Sequence, residues 1–228
     1  MKSRIAIVVA AVSLSVANIL CSRQSEIPDE VGRAHAQAFR DRQSGEPLLV
    51  GQEHHWLLGT PFGYPNQPAP LTDADLQLRV CATESVAVVR ILGHRSFLTD
   101  DSSFAYTVYR ATLLRVIKPS AAVRASMEAV TFARPGGSVV SSDGSRSVRL
   151  DSFPSLQAGR EYILALTASS NVLVAQNEQM QFEIVGDRAQ TLVAADTPGA
   201  RSSAAAGGLE QRLTVLSRGR CSAGVVVF

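Results

Sequence analysis

Lysine is almost missing from this chain. Lys2 and Lys118 are the only two, so nearly all of the 22 basic residues are arginine. Guanidinium forks suit phosphate and carboxylate recognition, but beside the abundant alanine the bias reads as codon composition rather than chemistry. Against 20 acidic residues the net charge is only +2, so no bulk field argues for nucleic acid. Aromatic residues make up 6% of the chain, with a single tryptophan. The three cysteines, Cys21, Cys81 and Cys221, include no Cys-x-x-Cys pair, and no H-E-x-x-H spacing occurs, which excludes the common zinc motifs. A G-x-S-x-G elbow, an S-x-x-K and a P-loop are also absent. The sequence therefore assigns no catalytic residue, no metal ligand and no cofactor.

Long apolar runs are lacking too. Ile5 to Leu20 is the longest, and it is too short and too interrupted by serine for a membrane span. It fits an export signal instead. Met1 to Arg4 forms a cationic start, Ile5 to Leu14 an apolar stretch, and Ser15-Val16-Ala17 places small residues at a peptidase site. Cys21 closes the run and is a candidate for lipidation, although Asn18-Ile19-Leu20 departs from a lipobox. Either way the mature chain is expected outside the cytoplasm, in the periplasm or beyond, and membrane-bound only through such an anchor.

What the chain has is strand pattern. Its 228 residues with 46% hydrophobic content suit one domain and flanking segments. After a signal peptide at 1–20, residues 21–70 read as a flexible, Pro-rich segment without core character. A weak helix could open at Pro28-Asp29-Glu30, with Val31, Ala34, Ala38 and Phe39 at helical spacing. "GTPFGYPNQPAP", Gly59 to Pro70, cannot hold a regular element. The domain proper is expected over 71–193, opening with a short helix through Leu76, Leu78 and Val80.

Strands follow. "ESVAVVRILGHRSF" is a continuous apolar run and then an alternating one. Asp100-Asp101-Ser102 turns the chain into "SFAYTVYRATLLRVIKPS". There Thr107, Tyr109, Ala111 and Leu113 share one face, and Val108, Arg110, Thr112, Leu114 and Val116 the other. Pro119 ends the strand because it has no N–H for the ladder. "MEAVTFARPGG", "SSDGSRSVRL", "REYILALTAS", "NVLVAQ" and a hairpin about Gly186-Asp187 continue the series. Residues 194–228 read as an Ala/Gly/Ser spacer to Gly208, then a short helix from Leu209 to Ser217. The expected fold class is mainly β, an antiparallel OB-like barrel with short flanking helices.

The stretches "SVAVVRILG", "YTVYRATLLRVIKPS", "VTFARPGG" and "LQAGREYILAL" resemble the OB-fold domain of tissue inhibitors of metalloproteinases and netrin-like modules, as found in bacterial secreted proteins. The likeness covers Leu71 to about Val193. It implies a fold used mostly for binding. Those inhibitors chelate protease zinc through a mature N-terminal cysteine. Here Cys81 is internal, and Cys21 is either lipidated or inside a longer terminus, so that chemistry does not carry over.

Several constellations invite functional readings. In "GQEHHWLLG", Glu53, His54 and His55 are possible ligands, yet neighbours on a strand point to opposite faces. An ordinary loop with a packed Trp56 fits better, with His35 and His94 distant in sequence. Asp100-Asp101 suits turn chemistry. Arg134-Pro135-Gly136-Gly137 could hold an anion on backbone amides, or simply close a strand. Arg110 and Arg115 fall on opposite faces, which leaves no basic stripe for nucleic acid. With Cys21 set aside, Cys81 and Cys221 are the natural disulfide pair; a buried thiol with a free tail cysteine is the alternative. The sequence points to an exported, noncatalytic binding module whose partner is an extracytoplasmic protein or other ligand. A secreted hydrolase with an ungrouped site, or a structural envelope protein, stand as alternatives.

Overall fold

Val86 to Ile91 is apolar on both faces, and a strand of that kind needs cover on both sides. The computed structural model supplies it, and describes residues 27–55, 72–124, 127–150, 153–169, 171–177, 180–192 and 203–219. The signal and lipidation residues up to Cys21, Trp56, the Gly59–Pro70 stretch and Cys221 lie outside the described residues.

Among the described residues three α-helices flank the strands: α1 (Asp29–Ala36), running into a 3-10 helix (Gln37–Arg42), α2 (Asp73–Ala82) and α3 (Ala206–Arg218). The strands are β1 (Glu53–His55), β2 (Ser85–Leu98), β3 (Ala105–Lys118), β4 (Ala129–Pro135), β5 (Gly137–Ser141) and β6 (Gly144–Arg149). They continue as β7 (Glu161–Ser169), β8 (Val172–Val174), β9 (Gln181–Val185), β10 (Arg188–Thr191) and β11 (Ser203–Ala205). The main sheet runs β11-β10-β9-β7-β2-β3-β4-β8, and β8 also pairs with β7. A smaller sheet has the order β1-β6-β5.

The fold is mainly β, but it is not purely antiparallel. β8 lies parallel to β4 and β1 parallel to β6. The parallel pair β4–β8 arises because the small-sheet hairpin and β7 intervene, which gives the chain room for a crossover.

Alternation sorts the side chains into three layers. Ala87, Val89, Ile91, Tyr109, Ala111, Phe132 and Leu164 share an inner cluster. Val86, Val88 and Ile163 face outward onto Leu76 and Val80 of α2 and Leu209 and Leu213 of α3. Tyr106, Val108 and Ala133 face outward elsewhere, beneath Ile27, Ala36, Phe39 and Leu48. That last group corrects the expectation that residues 21–70 lack core character. Phe39 is wholly buried and stacks on Tyr106 at 4.9 Å between ring centroids; burying such a ring contributes roughly 2–3 kcal/mol.

Two further expectations are corrected. Val116 does not share a face with Val108. The β2–β3 register slips between Val88 and Val89, leaving Leu114 as the extra residue of a bulge, and Val116 swings onto the inner cluster. One inserted residue reverses every side chain beyond it. Within the expected Ala/Gly/Ser spacer, Ser203–Ala205 forms β11, paired antiparallel with β10.

Lys118 shows why β3 ends where it does. Its ammonium donates to Val80 O at 2.8 Å and to Thr83 O, capping the last carbonyls of α2 with positive charge. Pro119 follows directly. α3 is fastened beside α2 by Arg212 on Asp73 at 2.6 Å, and to β3 by the fork of Arg115 on Glu210 at 2.7 and 2.8 Å.

Candidate functional site: an apolar groove beneath the first helix

α1 is built to lie close on the sheet. Asp29 and Glu30 occupy its first turn, where acids suit the helix dipole. Gly32 faces the sheet, and a Cβ there would sit 2.2 Å from Phe97 Cε1. Tyr106 donates its hydroxyl to Gly32 O at 2.9 Å. Arg95 pairs with Asp29 at 2.7 Å and donates to Ile27 O at 2.9 Å. The 3-10 helix that follows α1 is tied by Gln176 Nε2 donating to Ala38 O at 3.3 Å.

Along its other side α1 leaves a gap. A groove of about 970 Å³ runs between Val31, Ala34 and His35 on the helix and the surface of β4 and β8. Val130, Thr131, Val172 and Leu173 supply that surface. Ala121, Ala122 and Met127, from the loop after β3, close one flank. That loop is shaped by Pro119 and by Val123, which turns inward to the core and bonds Ser120 Oγ at 3.0 Å. Among the described lining residues Glu30 is the only carboxylate, and neither Lys nor Arg lines the groove. Small and flexible apolar side chains over such a volume match the usual build of a ligand site.

Of the described polar residues that line the groove, Glu30, His35, Thr131 and Asn171, His35 is the buried one. It is 3% exposed. Nδ1 lies 2.7 Å from Val31 O. A carbonyl oxygen only accepts, so Nδ1 carries the proton and Nε2 of the neutral ring is a bare acceptor. Nε2 is buried with no hydrogen-bond partner. Burial pushes the imidazole below its ordinary value, with the Val31 bond acting the other way.

The other constellations resolve differently. Arg134 does not aim at an anion cradle of backbone amides. Gly136, at φ +87°, donates its N–H to Ala105 O at 2.9 Å, and Gly137 pairs with Val148. The Arg134 side chain turns into the core, 1% exposed. It donates to Pro154 O at 2.7 Å and to Gln181 Oε1, and packs 5.4 Å from the Phe153 ring centre. Tyr109 and Tyr162 receive the amides of Leu156 and Gln157 at 3.2 and 3.0 Å. These three side chains pin residues 153–157 across one end of the inner cluster. Burial lowers the Arg134 pKa, and its interaction with Tyr109 opposes that.

Asp101 performs turn chemistry. Burial raises its carboxyl, but hydrogen bonds from Ser103, Thr99 and Gly45 outweigh that and hold it at about 2. Glu53, His54 and His55 form β1 rather than a loop. His54 Nε2 accepts from Leu49 N at 3.3 Å, and His55 stands 3.8 Å from Glu53. His94 packs at 5.5 Å on Tyr109. No group of three metal-ligating side chains occurs among the described residues. Arg110 is exposed and Arg115 is engaged by Glu210. Cys81 Sγ lies on α2, 3.0 Å from Gln77 Nε2.

No protein-family model matches the chain, and no curated protein matches it. The sequence reading missed the groove and His35. The Val31–Ala34–Ala38 stripe was visible, but its partners lie in β4, β8 and the β3–β4 loop, a hundred residues further on.

Proposed function

We propose that this chain is an exported, noncatalytic binding module that receives an apolar peptide segment of an extracytoplasmic protein in the groove beneath α1. The observation that carries the reading is the groove itself: about 970 Å³, at the upper end of the usual range for ligand sites. Its charge selects among occupants. Glu30 at the margin, with no Lys or Arg among the described lining residues, disfavours fatty acids and anionic lipids, and favours a neutral or basic-flanked peptide.

An OB-like barrel is the architecture that best accounts for the scaffold. Support comes from the pairing sequence β7-β2-β3-β4-β8 and the return of β8 to β7, with β4 and β8 parallel. Export rests on the residues before Asn18. N-terminal sequencing of secreted material should find a new start near Asn18 or an acylated Cys21; intact Met1 on cytoplasmic protein would overturn it.

Binding is tested by panning the full mature protein against a displayed random peptide library. Enriched sequences should share an apolar core and lose affinity for Ala34→Glu, a change at an exposed helix position that lines the groove. Enrichment without an apolar consensus, or unchanged binding to Ala34→Glu, would refute the groove as the site.

A further inference from the structure

α1 belongs to no sheet. Among the described residues its polar fastenings to the strands are Arg95 on Asp29 and Ile27 O at its start and Tyr106 on Gly32 O in its middle. Gly32, His35 and Ala36 form its buried face. Just beyond, the chain kinks at Phe39, whose φ of −118° and ψ of 16° interrupt the helical path. Phe39 is wholly buried, with Phe104 at 6.0 Å and Tyr106 at 4.9 Å between ring centroids. A second anchor follows, where Ser44 N donates to Ser103 Oγ at 3.0 Å and Gly45 N to Asp101 Oδ2 at 3.2 Å. Asp29–Ala36 is a strap with a fixed root.

His35 sits on the underside of that strap. Nδ1 donates to Val31 O, and Nε2 is sealed without a partner. A proton on Nε2 would leave a second donor unsatisfied and a charge without a counterion. The charged groups nearby are bonded elsewhere or face solvent. On α1, Asp29 is held by Arg95, while Glu30 and Arg33 are exposed. On the 3-10 helix Arg40 and Asp41 are exposed and Arg42 is half-buried. β2 presents Arg95 and β3 Tyr106, both already engaged. Arg134 of β4 turns to Pro154 O and Gln181, and β8 holds only Val172, Leu173 and Val174. The flanking loop adds Arg124 and Glu128, both exposed.

We infer that α1 is a proton-released strap: protonation of His35 frees Asp29–Ala36 to swing about Phe39, which takes down the helical wall of the groove. The consequence for binding rests on the proposed groove; the swing itself does not. The proton enters when the strap lifts, because Nε2 is sealed while it is down. Each lifting exposes an imidazole of ordinary basicity, and acid then holds the strap open. The root stays in place over the same range, since Asp101, held at about 2, remains ionised and keeps Gly45.

Amide hydrogen exchange of the full mature protein, resolved by residue at about pH 7.5 and about pH 5.5 and corrected for intrinsic rates, tests the strap without a ligand. Gly32, whose N–H donates to Pro28 O at 3.1 Å, reports on α1. At both pH values α1 should be less protected than β2 and β3. Its protection should fall severalfold on acidification, up to about tenfold for one proton taken up at the ordinary 6.5. His35→Phe, or His35→Gln if the former does not fold, should abolish the fall. Unchanged protection of α1 in the natural protein, or α1 exchanging in step with β2 and β3, would overturn the strap. So would a fall that survives in the variant. None of these results touches the peptide-panning outcome, so the strap and the groove fail separately.

Discussion

Tyr106 Oη donates 2.9 Å to the carbonyl of Gly32, a contact between the middle of the sheet and the middle of α1. Both groups are buried. Burial, with Asp100 nearby, raises the phenol to about 12, so it remains a donor through the neutral range. This bond, with the Gly32–Phe97 contact, sets the height of α1 above the sheet and so the width of the groove.

Gly32→Ala separates helix propensity from packing. In an exposed helix the change would stabilise by about 1 kcal/mol. Here the new methyl would meet the Phe97 ring at 2.2 Å, so the protein should instead be destabilised, by roughly 1–3 kcal/mol. Tyr106→Phe should cost about 1 kcal/mol by removing the donor. Urea denaturation checks both. A rise in midpoint for Gly32→Ala would mean that α1 does not sit this close.

Arg134 is a buried cation whose partners are a carbonyl, an amide oxygen and a phenol. Truncation to alanine leaves Gln181 Oε1 and Pro154 O without a donor and opens a cavity, at a cost of about 3 kcal/mol or more. Arg134→Met keeps much of the volume and removes a desolvated charge, so its loss should be smaller. Comparison of the two denaturation midpoints decides. Equal losses would show that the guanidinium bonds, not the packing, hold residues 153–157.

His35 makes stability depend on pH. Burial lowers its folded pKa below the ordinary 6.5, so the unfolded chain takes up the proton first as pH falls. The contribution of the neutral ring is therefore intact above about 6.5 and is lost as pH falls through the folded value. Denaturation midpoints measured from about pH 8 down to about pH 4 should hold level at first and decline once the pH falls below the ordinary 6.5. His35→Phe should flatten that portion of the curve. Asp101, held at about 2 against 3.8, acts in a separate window below that range. Parallel curves for the two proteins would rule out His35 as the titrating group.

Cys81 and Cys221 are expected to form a disulfide. α3 delivers its end to the right place: Gln77, one turn before Cys81, donates to Leu216 O at 3.3 Å, and the Gln77 side chain lies beside Gly219. Cys221 is two residues further on. In the chain-entropy account a closure of this length contributes up to roughly 5 kcal/mol. Non-reducing peptide mapping of oxidised protein should recover the two cysteine peptides linked. Alkylation of both without reduction would exclude the bond.

Strands were legible in the sequence because alternation is local: Tyr109, Ala111 and Leu113 declare their common face within five residues. The Leu114 bulge was not, since it depends on where Val88 and Val89 of another strand fall. β11 escaped because Ser203–Ala205 is held by backbone pairing rather than by apolar side chains. The parallel β4–β8 pair could not be told from an antiparallel one, for strand pattern carries no direction. The buried role of α1 was hidden for a different reason. Its contact face is made of Gly32, His35 and Ala36, residues whose fit is decided by Phe97 and Tyr106.

The outer layer over β2 and β7 joins segments that lie far apart along the chain. Val86, Val88 and Ile163 precede Leu209 and Leu213, the α3 residues that cover them, by long stretches of chain. Until α3 arrives, those valines face water, and neighbouring strands have no finished surface on which to settle. Contacts of such wide separation form slowly, and an incomplete chain displays sticky strand faces. A chain cut short before Ala206 should therefore aggregate rather than persist as a smaller domain.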